Sequence, residues 1–102
     1  MNRFDVYLKD DQETQKVVIL QSDLHLRQLD TIIVAPLVPD KVVKKPYLRR
    51  LLVPVTFESE TYFIIIPQAG PILKTKVTVY RGSLSAYHHD IIEALDFLFQ
   101  GF

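Results

Sequence analysis

The apolar residues of this chain keep a strand-like rhythm for most of its length and then change it. Phe4, Val6 and Leu8 alternate with Asp5, Tyr7 and Lys9, the period of a half-buried strand. Val17 to Leu20, Thr31 to Ala35, Val53 to Phe57, Tyr62 to Ile66 and Thr75 to Tyr80 are short runs rich in β-branched and aromatic residues. Near the end, Ile91, Ile92, Leu95, Leu98, Phe99 and Phe102 recur at helical spacing. This predicts a helix from about Ala86 to Phe99, with Ser85 as its N-cap and Gly101 at the left-handed stop. Six or so short strands followed by one terminal helix is a mainly β chain with a C-terminal α-helix. The expected architecture is a small β-barrel of the SH3-like kind.

Local chemistry sets the expected boundaries. Polar Asp10 to Gln15 reads as a loop, and Gln21-Ser22-Asp23 breaks the second run. Leu24 to Leu29 fits neither period. Pro36 is expected to end the third strand. Pro39 to Arg50 is turn-rich and basic. Glu58 to Thr61 suits a four-residue hairpin connection, Pro67 to Pro71 a loop, and Arg81-Gly82-Ser83 the end of the last strand.

A length of 102 residues suits one domain, 1–102, with roughly two thirds of the unfolded surface buried. Twelve Lys and Arg balance twelve Asp and Glu. No global field would hold a polyanion, so direct nucleic-acid binding by the chain alone is not expected. Neutrality also removes charge repulsion between copies, which makes a homodimer easier to form. No cysteine is present, which excludes disulfides, thiolate metal sites and thiol nucleophiles. Met1 to Asp5 carries no apolar signal segment, and no run approaches the ~20 residues that span a bilayer. A cytoplasmic protein without membrane contact is the expectation.

Four groups of residues offer chemistry. His88-His89-Asp90 would lie in the first turn of the helix, where neighbours point apart. His89 and Glu93 share a stripe there, but no third metal ligand accompanies them. Asp23 and His25, two apart, would share a face if extended, yet no nucleophile elbow surrounds Ser22. Lys41, Lys44, Lys45, Arg49 and Arg50 lie within ten residues with no acid among them and Tyr47 between, a surface for an acidic peptide or a nucleic acid, or a solvated loop. The tail, Phe97-Leu98-Phe99-Gln100-Gly101-Phe102, is very apolar for a chain end. It either completes the core or projects as an anchor for a partner. No catalytic set, metal site or cofactor motif emerges.

Taken in order, several pieces resemble the CcdB toxins of toxin–antitoxin modules. They are Phe4-Asp5-Val6-Tyr7, Leu20-Gln21-Ser22-Asp23-Leu24, Ala35-Pro36-Leu37, Leu52-Val53-Pro54-Val55, and the ending from Ile91 to Phe102. The resemblance implies an SH3-like barrel with a small extra sheet, as in CcdB and MazF, and a two-fold homodimer. It implies no catalysis and no cofactor. It implies a protein that binds the dimeric A subunits of DNA gyrase, traps the cleaved gyrase–DNA complex, and is neutralised by a CcdA-like antitoxin. The gyrase-facing residues it implies are Leu24, His25, Asp96, Phe99, Gln100, Gly101 and Phe102. Gln100 stands where the best-known member has a tryptophan, Asp96 where it has an amide, and His25 where an aliphatic residue is usual. Lys41, Lys44, Lys45, Arg49 and Arg50 are the expected docking surface for an acidic antitoxin tail.

Two alternatives stay open. The MazF/Kid endoribonuclease toxins are similar in fold, and Arg81 with His88, His25 or Asp23 supplies residue types that RNA cleavage needs. An inactive member retaining only the dimer and the antitoxin contact is the other, motivated by Gln100.

Overall fold

The computed structural model describes residues 1–9, 12–22, 29–43 and 48–101. Seven strands are β1 (Asp5–Lys9), β2 (Gln12–Ile19), β3 (Thr31–Pro39), β4 (Leu52–Phe57), β5 (Glu60–Ile65), β6 (Gly70–Leu73) and β7 (Val77–Ser83). Among the described residues one α-helix, α1 (His88–Gln100), follows them. The sheet runs β4-β5-β3-β2-β1-β7, with β6 paired to β3 beside the main path, and every pairing is antiparallel. A mainly β, barrel-like fold with one C-terminal helix is what the two hydrophobic periods demand.

The continuous apolar runs mark strands buried on both faces. Val18, Leu20, Ala35 and Leu37 point into the main core with Phe4, Val6, Val53, Val55, Ile64, Ile66 and Leu84, and α1 adds Ile91 and Ala94. Their neighbours in the chain, Val17, Ile19, Ile32 and Val34, point the other way into a second, smaller core with Val77. Successive side chains of a strand alternate between faces, so only strands covered on both sides read as unbroken V-V-I-L or I-I-V-A. The two end strands of the sheet also approach each other. A methyl group placed at Gly82 of β7 would lie 3.0 Å from the Phe57 ring of β4. Beside it, Arg81 Nη2 meets Glu58 Oε2 at 2.5 Å.

Several boundaries differ from the sequence expectation, each for a local reason. Of the stretch read as a loop at Asp10 to Gln15, Gln12 to Gln15 is strand, because β2 begins at Gln12 and pairs from there with Lys9, while Asp10 and Asp11 lie outside the described residues. Pro36 does not end β3, which runs on to Pro39. It sits where β3 changes neighbours: Val34 pairs with Gly70 of β6 and Leu37 with Ile64 of β5, while Pro36 has no partner on that side. A missing N–H is tolerated in such a gap. The β4–β5 connection is tighter than four residues. Phe57 pairs with Glu60, and Glu58 and Ser59 both adopt positive φ, 51° and 66°. That is the signature of a two-residue type I′ turn. The expected loop at Pro67 to Pro71 contains a 3-10 turn (Ile66–Gln68) and the start of β6. β7 continues to Ser83, with register shifts against β1 that give it two irregular steps. One of these steps falls at Thr78, between Val77, which is buried, and Val79, which is exposed.

Ser85 is not the helix cap. A 3-10 turn (Ser85–Tyr87) precedes α1, and the Ser83 hydroxyl accepts the Ser85 N–H at 3.1 Å. α1 starts at His88 with no side-chain cap. Tyr87, just before it, accepts the Thr56 N–H through its hydroxyl at 3.0 Å, which ties the helix entry to strand β4. Gly101 at φ 79° ends the helix as expected.

Candidate protein-binding site

The last turn of α1 overhangs the core. Ile91 and Ala94 are buried, and Ile92 and Leu95 pack partly against them. Beyond Leu95 only Phe97 stays half-buried: Leu98 is 37% exposed and Phe99 80%. Helical spacing alone puts Leu98 and Phe99 on the buried stripe. Of the two readings of the tail, projection describes Phe99, while Phe97 is half-buried and the buried core residues of the helix, Ile91 and Ala94, come before the tail. Asp96, Gln100 and Gly101 are also exposed. Phe102, Leu24 and His25 lie outside the described residues.

The basic stretch is divided by the structure. Lys41 lies exposed in a 3-10 turn (Asp40–Val42), and Lys44 and Lys45 lie outside the described residues. Arg49 and Arg50 belong to another 3-10 turn (Arg49–Leu51) that packs against α1. They line a cleft of about 160 Å³ with Pro54, Asp90, Glu93 and Ala94. The Arg50 guanidinium stands 4.1 Å from the centre of the Phe97 ring. Sequence reasoning puts the arginines and the tail on two separate surfaces. The structure brings Arg50 to the base of the tail.

A groove that sequence reasoning misses lies along β3. Its volume is about 740 Å³, and its floor includes Val17, Pro36, Leu37 and Ile72. Lys9 and Lys16 stand at its rim, and no acidic residue lines it among the described residues. Lys16 also places its Nζ 5.5 Å from the centre of the Tyr62 ring. The groove lies at the step where β3 exchanges β6 for β5, and Pro36 inside an apolar run marks that step only once the strand order is known.

The groups considered for catalysis are engaged elsewhere. His88 Nδ1 donates to the Ser85 carbonyl at 3.0 Å. His89 lies 3.7 Å from Glu93, both well exposed. Arg81 is paired with Glu58, and Asp23 lies with His25 outside the described residues. Among the described residues no three acidic or histidine side chains converge as metal ligands, and no helix is long and apolar enough to cross a membrane. The phenol of Tyr7 is pushed above its ordinary pKa by burial, then by the charge of Asp5 and by Tyr80, whose ring meets it edge-on at 5.6 Å. The Tyr7 side chain packs on the small core.

The family model described as CcdB protein matches residues 3–101 of the chain. No curated protein matches the sequence closely. Among solved structures, an endoribonuclease in complex with its cognate antitoxin from Mycobacterial species superposes with a TM-score of 0.78 at 16% identity, over 97% of this chain and 94% of that one. The Mycobacterium tuberculosis toxin MazF-mt6 superposes with a TM-score of 0.75 at 16% identity, over 93% of this chain and 95% of its own. At such identities the likeness establishes a shared barrel-like fold.

Proposed function

The chain belongs to the CcdB family, and from that membership we propose that it is the toxin of a toxin–antitoxin pair, binding the dimeric A subunits of DNA gyrase and trapping the cleaved gyrase–DNA complex. The observation that carries this reading is the projecting tail. Phe99 is 80% exposed on a helix whose base is anchored by buried Ile91 and Ala94. An exposed aromatic on a rigid support is what a protein-binding hot spot requires. Gly101, in the left-handed conformation, ends the helix, and Phe102 belongs to the proposed gyrase-facing set. Asp96 and Gln100 are exposed on the helix, and Leu24 and His25 complete that set. Gln100 offers a hydrogen bond where a ring would stack, which exchanges a cation–π contact of about 0.5–2 kcal/mol for a polar one of about 0.5–1.5 kcal/mol. Two copies related by a two-fold axis would present two tails to a two-fold target, so each contact would act twice.

Neutralisation would use an acidic, partly apolar antitoxin tail. Lys41, Lys44, Lys45, Arg49 and Arg50 supply charge, and the groove beside Lys9 and Lys16 supplies apolar surface under a positive rim.

The decisive experiment is a cleavage assay with purified protein, gyrase, supercoiled plasmid and ATP. Linear DNA released by detergent and protease is the expected outcome. Its absence at protein concentrations well above micromolar rejects the reading. The fold shared with structures named as endoribonucleases favours RNA cleavage as the second reading. Against it, His88 and Arg81 are held by Ser85 and Glu58. RNA degradation by the purified protein, lost on His88→Ala and Arg81→Ala, would establish that reading in place of the first.

A further inference from the structure

We infer that Arg50 is a positioning residue for the C-terminal tail, acting through Phe97; the functional consequence rests on the gyrase reading above, the positioning itself does not. Three observations meet at Phe97. The Arg50 guanidinium lies 4.1 Å from the centre of its ring. Its carbonyl accepts the N–H of Gly101 at 2.8 Å, the bond that closes the helix. And its ring comes after the last core contacts of the helix, since Leu98 and Phe99 beyond it are exposed. One residue therefore receives both the contact that steadies the overhanging turn and the bond that sets Gly101 at φ 79°.

The helix's own composition explains why a cation from elsewhere is needed. The carbonyl end of a helix carries partial negative charge and favours cations. The last turn of α1 has no basic residue, and Asp96 adds a further negative charge there. Arg50, reaching over from the Arg49–Leu51 turn, brings a permanent positive charge to this end and covers an aromatic face with its planar guanidinium. Lysine at this position would keep the charge and lose the planar stacking. Arg50 thus fixes the direction of the tail without itself being one of the residues that the tail presents.

The test uses the full chain and two independent readouts. Amide exchange followed by NMR reports the Gly101 N–H directly. In Arg50→Ala it should exchange roughly two- to fivefold faster, the scale of a cation–π contact at an exposed site. The Ile91 and Ala94 amides should quicken by no more than this, and the melting temperature should fall by a few degrees at most. Arg50→Lys should fall between the two. Phe97→Leu should loosen Gly101 similarly, and the double variant Arg50→Ala/Phe97→Leu should be no looser than either single one. Unchanged Gly101 exchange in Arg50→Ala, or full additivity of the two substitutions, overturns the inference. In the gyrase cleavage assay, the concentration of Arg50→Ala needed for half-maximal linear DNA should rise roughly fourfold or more, because two tails act together. Wild-type protein that yields no linear DNA rejects the gyrase reading and leaves the exchange result to decide the positioning role.

Discussion

Gly82 and Phe57 occupy one space between them. The Phe57 Cε1 lies 3.0 Å from where a Gly82 side chain would begin, and Gly82 takes φ 155°. Gly82→Ala meets a ring and a backbone strain together, which should cost about 1–3 kcal/mol. Urea denaturation measures it. Gly70→Ala is the control, since nothing lies within 4 Å of a side chain there, and an effect as large as that of Gly82→Ala would reject the steric account. Nothing in the sequence Arg81-Gly82-Ser83 separates a close approach from an ordinary turn, so periodicity alone ends the strand there. Asp5 is equally opaque. It occupies a polar position of an alternating strand but is only 6% exposed, with its carboxylate accepting the Asn2 N–H at 2.8 Å. Local pairing of that kind leaves no trace in periodicity. The tail is legible in part: its apolar character announces a choice between core and anchor. The packing of the helix, which leaves Phe99 exposed, decides that choice.

The β4–β5 hairpin shows what an element tolerates. Glu58 and Ser59 both stand at positive φ, a conformation that costs a non-glycine residue about 1–2 kcal/mol. Ser59→Gly should therefore stabilise the protein by about 0.5–1 kcal/mol, read as a higher urea midpoint at unchanged slope. A neutral or lower midpoint would mean that Ser59 gains more from its surroundings than its backbone costs. On the helix, Ile91 is fully buried in the main core. Ile91→Ala should cost about 2–5 kcal/mol by equilibrium denaturation. A cost near ~0.5 kcal/mol, the low end for the loss of one methyl group, would show that α1 is dispensable to the core. The helix is the most legible element, because its period differs from everything before it. The strands are legible as runs, and the doubly buried β2 and β3 most clearly. Pro36 and β6 are not, since a proline reads as a stop unless the neighbouring strands are known to part at that point.

At the scale of the whole molecule, the proposals concern association. Sedimentation equilibrium should give twice the 11.8 kDa of one chain, and a mass of 11.8 kDa at all concentrations would remove the symmetry argument for gyrase. Affinity for the antitoxin should fall as salt rises, since opposite exposed charges are screened. An affinity independent of salt would reject the basic rim as its docking surface. The barrel-like fold follows from strand count and short loops, whereas the groove requires the order of the strands.

The pairing of β1 with β7, in which Asp5 lies opposite Ser83, has a consequence in time. Three of the six pairings in this sheet join consecutive strands, but the first strand waits for the last. Ribosomes add about 5–20 residues per second, so for several seconds the nascent chain holds β1 with one edge unpaired. Contacts this distant in sequence also form slowly. A fragment ending at Lys76 should show no cooperative melting by circular dichroism, and cooperative melting would mean that the barrel matures without its closing strand. The tail follows β7 in the chain. Order therefore arrives late, and the surface proposed to meet partners is made only after the strand that supports it.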